Sequence, residues 1–395
     1  MRRPGPRSRL ALAAIAVALA ATPSSAQETR AATIERAQAE KATRLHPYVP
    51  NRGERLSRRV ERALTNPPGF YVWFGSVYRG GQFALGPGVR RRVGETGLFD
   101  AHATLSLRNY KTVDTSLALP TFAGGRVRVT GIASWLDAPR VAFYGIGNDT
   151  TKPDDGVTRF VYRATTVGAR GEAKVVGPLS AGGAIDYLRV DSSASRRDPF
   201  GGAAALFDAT PSWTRSTAFV RLDTRPSPAY ARRGTLLRAQ WWNYAQQAGT
   251  GSAFRQFEAE AAQLLPILRE NWIIALRARV TTTDTDPGQQ VPFYLMPSLG
   301  GGSSIRGYHS WRFRDRHALL LNAEYRWTPS PYLDLALFLD AGRVAARKAD
   351  LDLDDLHTGY GIGARFHTSS SMVLRIDLGR STEGVALHWS ASQGF

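Results

Sequence analysis

With 395 residues the chain is long enough for two ordinary domains or one large barrel, and length alone does not choose between them. It has no cysteine, which excludes a disulfide framework and thiolate metal sites and suits a chain folded across an oxidising compartment. The formal charge is +18, of which four arginines lie in the first 26 residues without any acid and leave +14 for the rest; those arginines are scattered through alternating segments, which argues against nucleic acid as a partner.

Arg2, Arg3, Arg7 and Arg9 precede an apolar run from Leu10 to Ala21, followed by Ser24-Ser25-Ala26. The run is shorter than the roughly 20 residues that span a bilayer. The pattern predicts a secretory signal over 1–26 with cleavage after Ala26. From 27 to 69 the composition shifts to Ala, Arg and Glu. Leu56, Val60, Ala63 and Leu64 recur at helical intervals, with Arg55, Arg58, Arg59 and Arg62 on the other faces, until Asn66-Pro67-Pro68-Gly69 stops the pattern. This segment is expected to be a short helical or disordered periplasmic leader.

From 70 to 395 no stretch is long and apolar enough for a transmembrane helix, yet alternation is nearly continuous. An exported chain of alternating strands points to a closed barrel, because in lipid only helices and barrels satisfy their own backbone. Sixteen strands are expected, starting near Tyr71, Gly81, Asp100, Thr112, Gly125, Thr158, Ser180, Thr214, Arg233, Ser252, Glu270, Arg316, Tyr332, Leu356, Ser371 and Glu383. The fold class is therefore all-β, a transmembrane antiparallel barrel over 70–395 with strands of roughly 9 to 11 residues and a polar interior.

The two faces are legible in several strands. Trp272, Ile274, Leu276, Ala278 and Val280 would meet lipid while Arg277 and Arg279 face the lumen. Leu333, Leu335, Leu337 and Leu339 fall on one side, and Asp334, Phe338 and Asp340 on the other. Tyr360, Ile362, Ala364 and Phe366 face out against Gly359, Gly361 and Gly363. Met372, Leu374, Ile376 and Leu378 face out, with Arg375 and Asp377 in; Val385, Leu387 and Trp389 face out, with His388 in. Trp241, Trp242, Trp327 and Trp389 are expected near strand ends, as an interfacial girdle. Short connections such as Gly94-Glu95-Thr96-Gly97 and Ala123-Gly124-Gly125 contrast with long ones over 137–157, 191–213 and 281–315. With both termini periplasmic, the last of these is the sixth outer loop.

That loop contains Gly300-Gly301-Gly302-Ser303-Ser304-Ile305-Arg306-Gly307-Tyr308, which carries one arginine and no other charge. Its glycines allow tight folding in a confined space, and the single guanidinium needs a partner there. Downstream, Glu324 and Asp340 fall on the inward faces of their strands. The combination of Gly-Gly-x-x-x-Arg-Gly-Tyr, an Asn322-x-Glu-Tyr-Arg strand and a Phe338-x-Asp-x-Gly strand resembles the BamA/TamA-type superfamily of outer-membrane assembly and transport barrels, also called bacterial surface antigens. Leu222-Asp223-Thr224-Arg225 with Arg233-Gly234, the run from Phe143 to Thr150, and the terminal Phe395 fit the same pattern. The resemblance covers roughly the last four fifths of the chain.

The resemblance implies that Arg306 reaches into the lumen and pairs with Glu324 and Asp340 as a lock, with Gly301, Gly302, Gly307 and Tyr308 shaping the loop. It implies a C-terminal strand signal at Trp389 and Phe395. It also implies a role in inserting or passing proteins, or lipids, through a weak seam between the first strand (Phe70 to Arg79) and the last (Glu383 to Phe395). Gly75 and Gly394 lie at its two sides. The implied partners are outer-membrane lipids and lipopolysaccharide, client proteins and partner lipoproteins. The periplasmic domains usual in the superfamily are not expected within 27–69, and a passive pore or structural barrel is the alternative. No catalytic group, cofactor or metal is expected. His309, His317, His388 and Ser303 lack nucleophile-elbow or metal spacing, no helix follows Gly359, Gly361 and Gly363, and the acids Asp350, Asp352, Asp354 and Asp355 read as a solvated loop.

Overall fold

The computed structural model describes residues 33–41, 55, 68–150, 157–194, 210–228, 230–248, 253–268, 270–368 and 372–390. The expectations for 1–26, for the Leu56 to Leu64 stripe and for Gly394 and Phe395 lie outside these residues. The chain divides into two units, Met1–Leu56 and Ser57–Phe395. In the first, residues 33–41 form a helix whose side chains are all exposed. No helix of the described residues is long and apolar enough to cross a membrane.

The second unit is a 16-stranded antiparallel sheet whose spatial order follows the chain, as expected when each strand turns straight back on its predecessor. It opens with β1 (Gly69–Gly75), β2 (Ala84–Val93), β3 (Gly97–Ser106), β4 (Lys111–Phe122), β5 (Val127–Phe143) and β6 (Thr158–Val176). It continues through β7 (Leu179–Ala194), β8 (Ser212–Asp223), β9 (Gly234–Ala248), β10 (Phe254–Leu268) and β11 (Trp272–Thr285). The short pair β12 (Ser298–Leu299) and β13 (Phe313–Arg314) forms its own two-stranded hairpin within the loop after β11. The main sheet then resumes with β14 (His317–Ser330), β15 (Leu333–Ala345), β16 (His357–His367), β17 (Met372–Ser381) and β18 (Gly384–Ser390). All sixteen main strands begin within three residues of the starts expected from alternation.

Side-chain parity follows from the pleat. Leu335, Leu337 and Leu339 are exposed on the outer face while Asp334, Phe338 and Asp340 are buried. Tyr360, Ile362 and Phe366 likewise face out, and Arg375 and Asp377 are buried within. An unpaired backbone in lipid is costly, and fifteen consecutive ladders satisfy it around a nearly closed barrel. Among the described residues β1 and β18 share no ladder, so the sheet has two free edges facing one seam.

Three expectations need correction. Strands of the main sheet run from 7 to 19 residues rather than 9 to 11, because β5, β6 and β7 extend well beyond the length a bilayer requires. For the same reason Trp241 and Trp242 fall in the middle of β9, not near its end, while Trp327 and Trp389 do lie close to the ends of β14 and β18. The interior is also not uniformly polar. At the long-loop end, Phe143, Phe160, Tyr162, Val190, Trp213 and Phe254 form a buried apolar lining on β5 to β10. Val291, Phe293 and Tyr294 of the loop after β11 pack into it. A loop of some thirty residues can only stay folded inside the mouth if part of it buries apolar surface, which supplies roughly 25 cal/mol for each Å² removed from water.

Candidate functional site

The loop between β11 and β14 turns inward and is pinned at three levels. At the top is the apolar seat just described, with the 3₁₀ turn Phe293–Leu295 at its centre. Arg314 is buried beside it, its guanidinium 5.3 to 5.9 Å from the rings of Trp311, Phe293, Phe143 and Phe160. In the middle, the segment between β5 and β6 latches onto the loop. Gly147 N–H donates to the Arg314 carbonyl at 2.8 Å, and the Arg312 guanidinium donates to the Thr150 carbonyl at 2.9 Å and to Glu383 at 2.8 Å. Asn148 holds the next strand pair: its side-chain oxygen accepts from Val344 N–H at 3.1 Å, and its carbonyl meets His357 Nε2 at 3.0 Å.

At the tip the chain must reverse within the lumen, which requires left-handed backbone at Gly300, Gly301 and Gly307 (φ +102°, +90° and +98°). Gly302 has no such φ; what it needs is space, since a Cβ there would sit 3.0 Å from the His388 Cβ on β18. Tyr308 is buried, its hydroxyl 3.1 Å from that of Thr382 and its ring against Phe313. Ser381 at the end of β17 donates to the Gly307 carbonyl at 2.8 Å.

Arg306 is 1% exposed. Its Nε donates to Asp340 Oδ2 and its second terminal nitrogen to Asp340 Oδ1, both at 2.6 Å, while its backbone N–H reaches Asp340 Oδ2 at 3.0 Å. The first terminal nitrogen donates to Glu324. The guanidinium carbon lies 3.6 Å over the centre of the Phe338 ring. A fork bonded to one carboxylate, bridged to a second and stacked on an aromatic face uses every feature that distinguishes arginine from lysine.

Alternation places Glu324 and Asp340 inward; the structure adds a network around them. Glu324 also accepts from Arg326 at 2.8 Å, Arg365 at 2.9 Å and Arg375 at 3.4 Å. Asp377 is 3.0 Å from Arg365 and accepts from Arg375 at 2.5 Å, and Asn322 donates to Asp340 at 2.7 Å. Four arginines and three carboxylates thus share one dry site on β14 to β17 and the loop tip.

The glycines of β16 make room for it. A Cβ on Gly359 would overlap the Arg306 carbonyl, one on Gly361 the Leu378 carbonyl, and one on Gly363 the Asp377 carboxylate, while one on Gly379 of β17 would sit 2.5 Å from the Gly307 nitrogen. Sequence reasoning put those glycines on the inner face without seeing what they accommodate. The available signal was the coincidence of three inward glycines with inward charges on the flanking strands.

Other singled-out residues fall elsewhere. Asp223 and Arg225 form a two-point pair at 2.8 Å in the turn between β8 and β9, against Gly234. His317 is buried under Thr283, and His388 faces the loop tip. Asp350 pairs with Arg347 at 2.9 Å, and Asp352 with Arg343. No group of three or more metal-ligating side chains occurs among the described residues. Trp389 lies on the seam, its ring 5.5 Å from that of Phe83 beyond β1.

The fold has solved counterparts. The chain is similar to BamA from Haemophilus ducreyi lacking POTRA domains 1-3, with a TM-score of 0.63 and 13% identity over 82% of this chain and 70% of that one. It is similar to CdiB from Escherichia coli at a TM-score of 0.56 and 13% identity, over 81% of this chain and 61% of that one. CdiB from Acinetobacter baumannii matches at 0.50 and 11%, over 81% and 58%. At such identities the likeness is one of fold. No curated protein matches the sequence. The Omp85 superfamily domain matches residues 96–386, almost three quarters of the chain and every strand that carries the arginine network, so the chain belongs to the Omp85 superfamily.

Proposed function

We propose that this barrel resides in the bacterial outer membrane after export by a signal over 1–26, and assists the insertion or passage of proteins, or of lipids, through the seam between β1 and β18. The supporting observation is an asymmetry of backbone pairing: fifteen junctions carry ladders and one carries none among the described residues. The two edge strands are seven residues each, so a lateral opening there breaks few bonds. Arg306 serves as a lock, with Glu324 and Asp340, holding the wall beside the seam rigid while the seam moves. The long loops face outward and residues 27–69 act as a periplasmic leader, near which partner lipoproteins would dock.

The test uses the absence of native cysteine. Phe83→Cys and Trp389→Cys, joined in cells by a short bis-maleimide, should lower the levels of other outer-membrane proteins as far as depletion of the protein does, while each single variant treated alike should not. Unchanged levels on both depletion and cross-linking would leave a passive pore.

A further inference from the structure

The lumen beside the seam holds a cavity of about 1470 Å³. Nine arginines line it against two glutamates. Both acids are already engaged: Glu258 and Glu260 accept from Arg238 at 2.8 and 2.6 Å, and Glu260 also accepts from Arg277 at 2.7 Å. Arg306 and Arg375 belong to the Glu324 network. Among the described residues, Arg79, Arg140 and Arg279 have no carboxylate within ion-pair distance. The Arg79 guanidinium donates to Ser298, at 3.4 and 3.5 Å, and lies over the Trp311 ring. Like charges crowded in a confined lumen raise each other's energy, and an anion relieves them all at once.

The walls say where such an anion enters. Residues 385–390 of β18 and 76–80 beyond β1 line the same cavity, so it reaches the unpaired seam. There it meets a second space of about 510 Å³ bounded by Gln82, Phe83, Leu107 and Trp389, with Gln82 and Trp389 common to both. Leu107 is 77% exposed. A cationic chamber thus adjoins an apolar groove at the junction that carries no ladder among the described residues.

We propose that the seam binds a phosphate-bearing lipid, its headgroup among Arg79, Arg140 and Arg279 and an acyl chain in the groove of Phe83, Leu107 and Trp389. Guanidinium forks match phosphate oxygens in geometry and charge, and the adjoining groove selects a lipid over a soluble anion. The proposal rests on the lateral seam of the proposed function and names what occupies it.

The test is native mass spectrometry of the full chain in a neutral maltoside, titrated with dioleoyl phosphatidic acid, with dioleoylglycerol and with inorganic phosphate. Phosphatidic acid should bind at least about tenfold more tightly than either of the others, the scale of one charge-assisted hydrogen bond. Arg79→Gln with Arg279→Gln should weaken it about tenfold or more, and Leu107→Asn about threefold, while Arg92→Gln, exposed at the end of β2 away from Gln82, leaves it unchanged. Arg140→Gln, at an exposed position, repeats the arginine test should the double variant lose its heat-modifiable barrel migration. Equal binding of dioleoylglycerol, or indifference to all the arginine variants, overturns the proposal; equal binding of inorganic phosphate reduces the site to one for a soluble anion. Lipid binding without any effect of the cellular cross-link sinks the seam function alone, and a cross-link effect without lipid binding sinks this proposal alone.

Discussion

Two neighbouring parts of one barrel are built on opposite principles. Along β14 to β17, three ladders' worth of wall is backed by an infolded loop whose guanidinium is dry, two-point bonded and stacked, and every carboxylate of the site has an arginine. At the β1–β18 seam there is no ladder among the described residues, the Trp389 and Phe83 rings meet beside the gap, and the lumen behind it holds nine arginines against two glutamates. The difference teaches where this protein keeps its rigidity. Buried charge that is fully paired fixes a single geometry, because any displacement strands a charge in a dry site. An unpaired edge does the reverse, since its strands are free to find other partners.

The comparison is open to direct attack, and the largest effect should come from the arginine itself. Arg306→Ala leaves Asp340 and Glu324 short of a partner in a dry site and should cost about 3–5 kcal/mol, read as a lower urea midpoint of the barrel in detergent. The same variant should raise single-channel conductance in planar bilayers as the loop loosens. A midpoint within error of the parent would mean the network is not what steadies this wall. Gly359→Ala forces a methyl against the Arg306 carbonyl and should cost about 1–3 kcal/mol by overpacking, less than removing the charge because it strands no buried carboxylate. At the seam, Trp389→Ala removes one aromatic pair with Phe83 and should cost only about 0.5–1.5 kcal/mol. If instead it matches Arg306→Ala, the seam is a structural joint and the contrast fails. Smallest of all, Arg347→Ala in the outer loop, where its pair with Asp350 stands in water, should leave the midpoint where it was.

Much of the barrel can be read from period two alone. Inward and outward residues on β15, β16 and β17 follow from alternation, and strand starts follow from where alternation stops, because both depend only on near neighbours in the chain. Parity also puts Glu324 and Asp340 on the lumen side, in reach of an arginine on a glycine-rich loop. It says nothing of Arg365, Arg375 and Asp377 as members of the same site. Their meeting depends on register, such as Gly363 opposite Asp377 and Arg365 opposite Arg375, which is set between strands rather than within one. The girdle reading of Trp241 and Trp242 fails for a related reason: β9 outruns the membrane, so distance from a turn is not depth in a bilayer.

The sequence by itself determined an all-β chain of sixteen alternating strands, the side each residue faces, and the presence of one charged loop among glycines, since each of these is written in local spacing. Only the tertiary structure decided that the loop folds inward onto an apolar seat, that residues 147–150 latch it from another hairpin, and that the unbalanced arginines gather beside the seam between β1 and β18. Those outcomes turn on contacts between residues up to hundreds of positions apart, which closure of the sheet brings together and which no window along the chain contains.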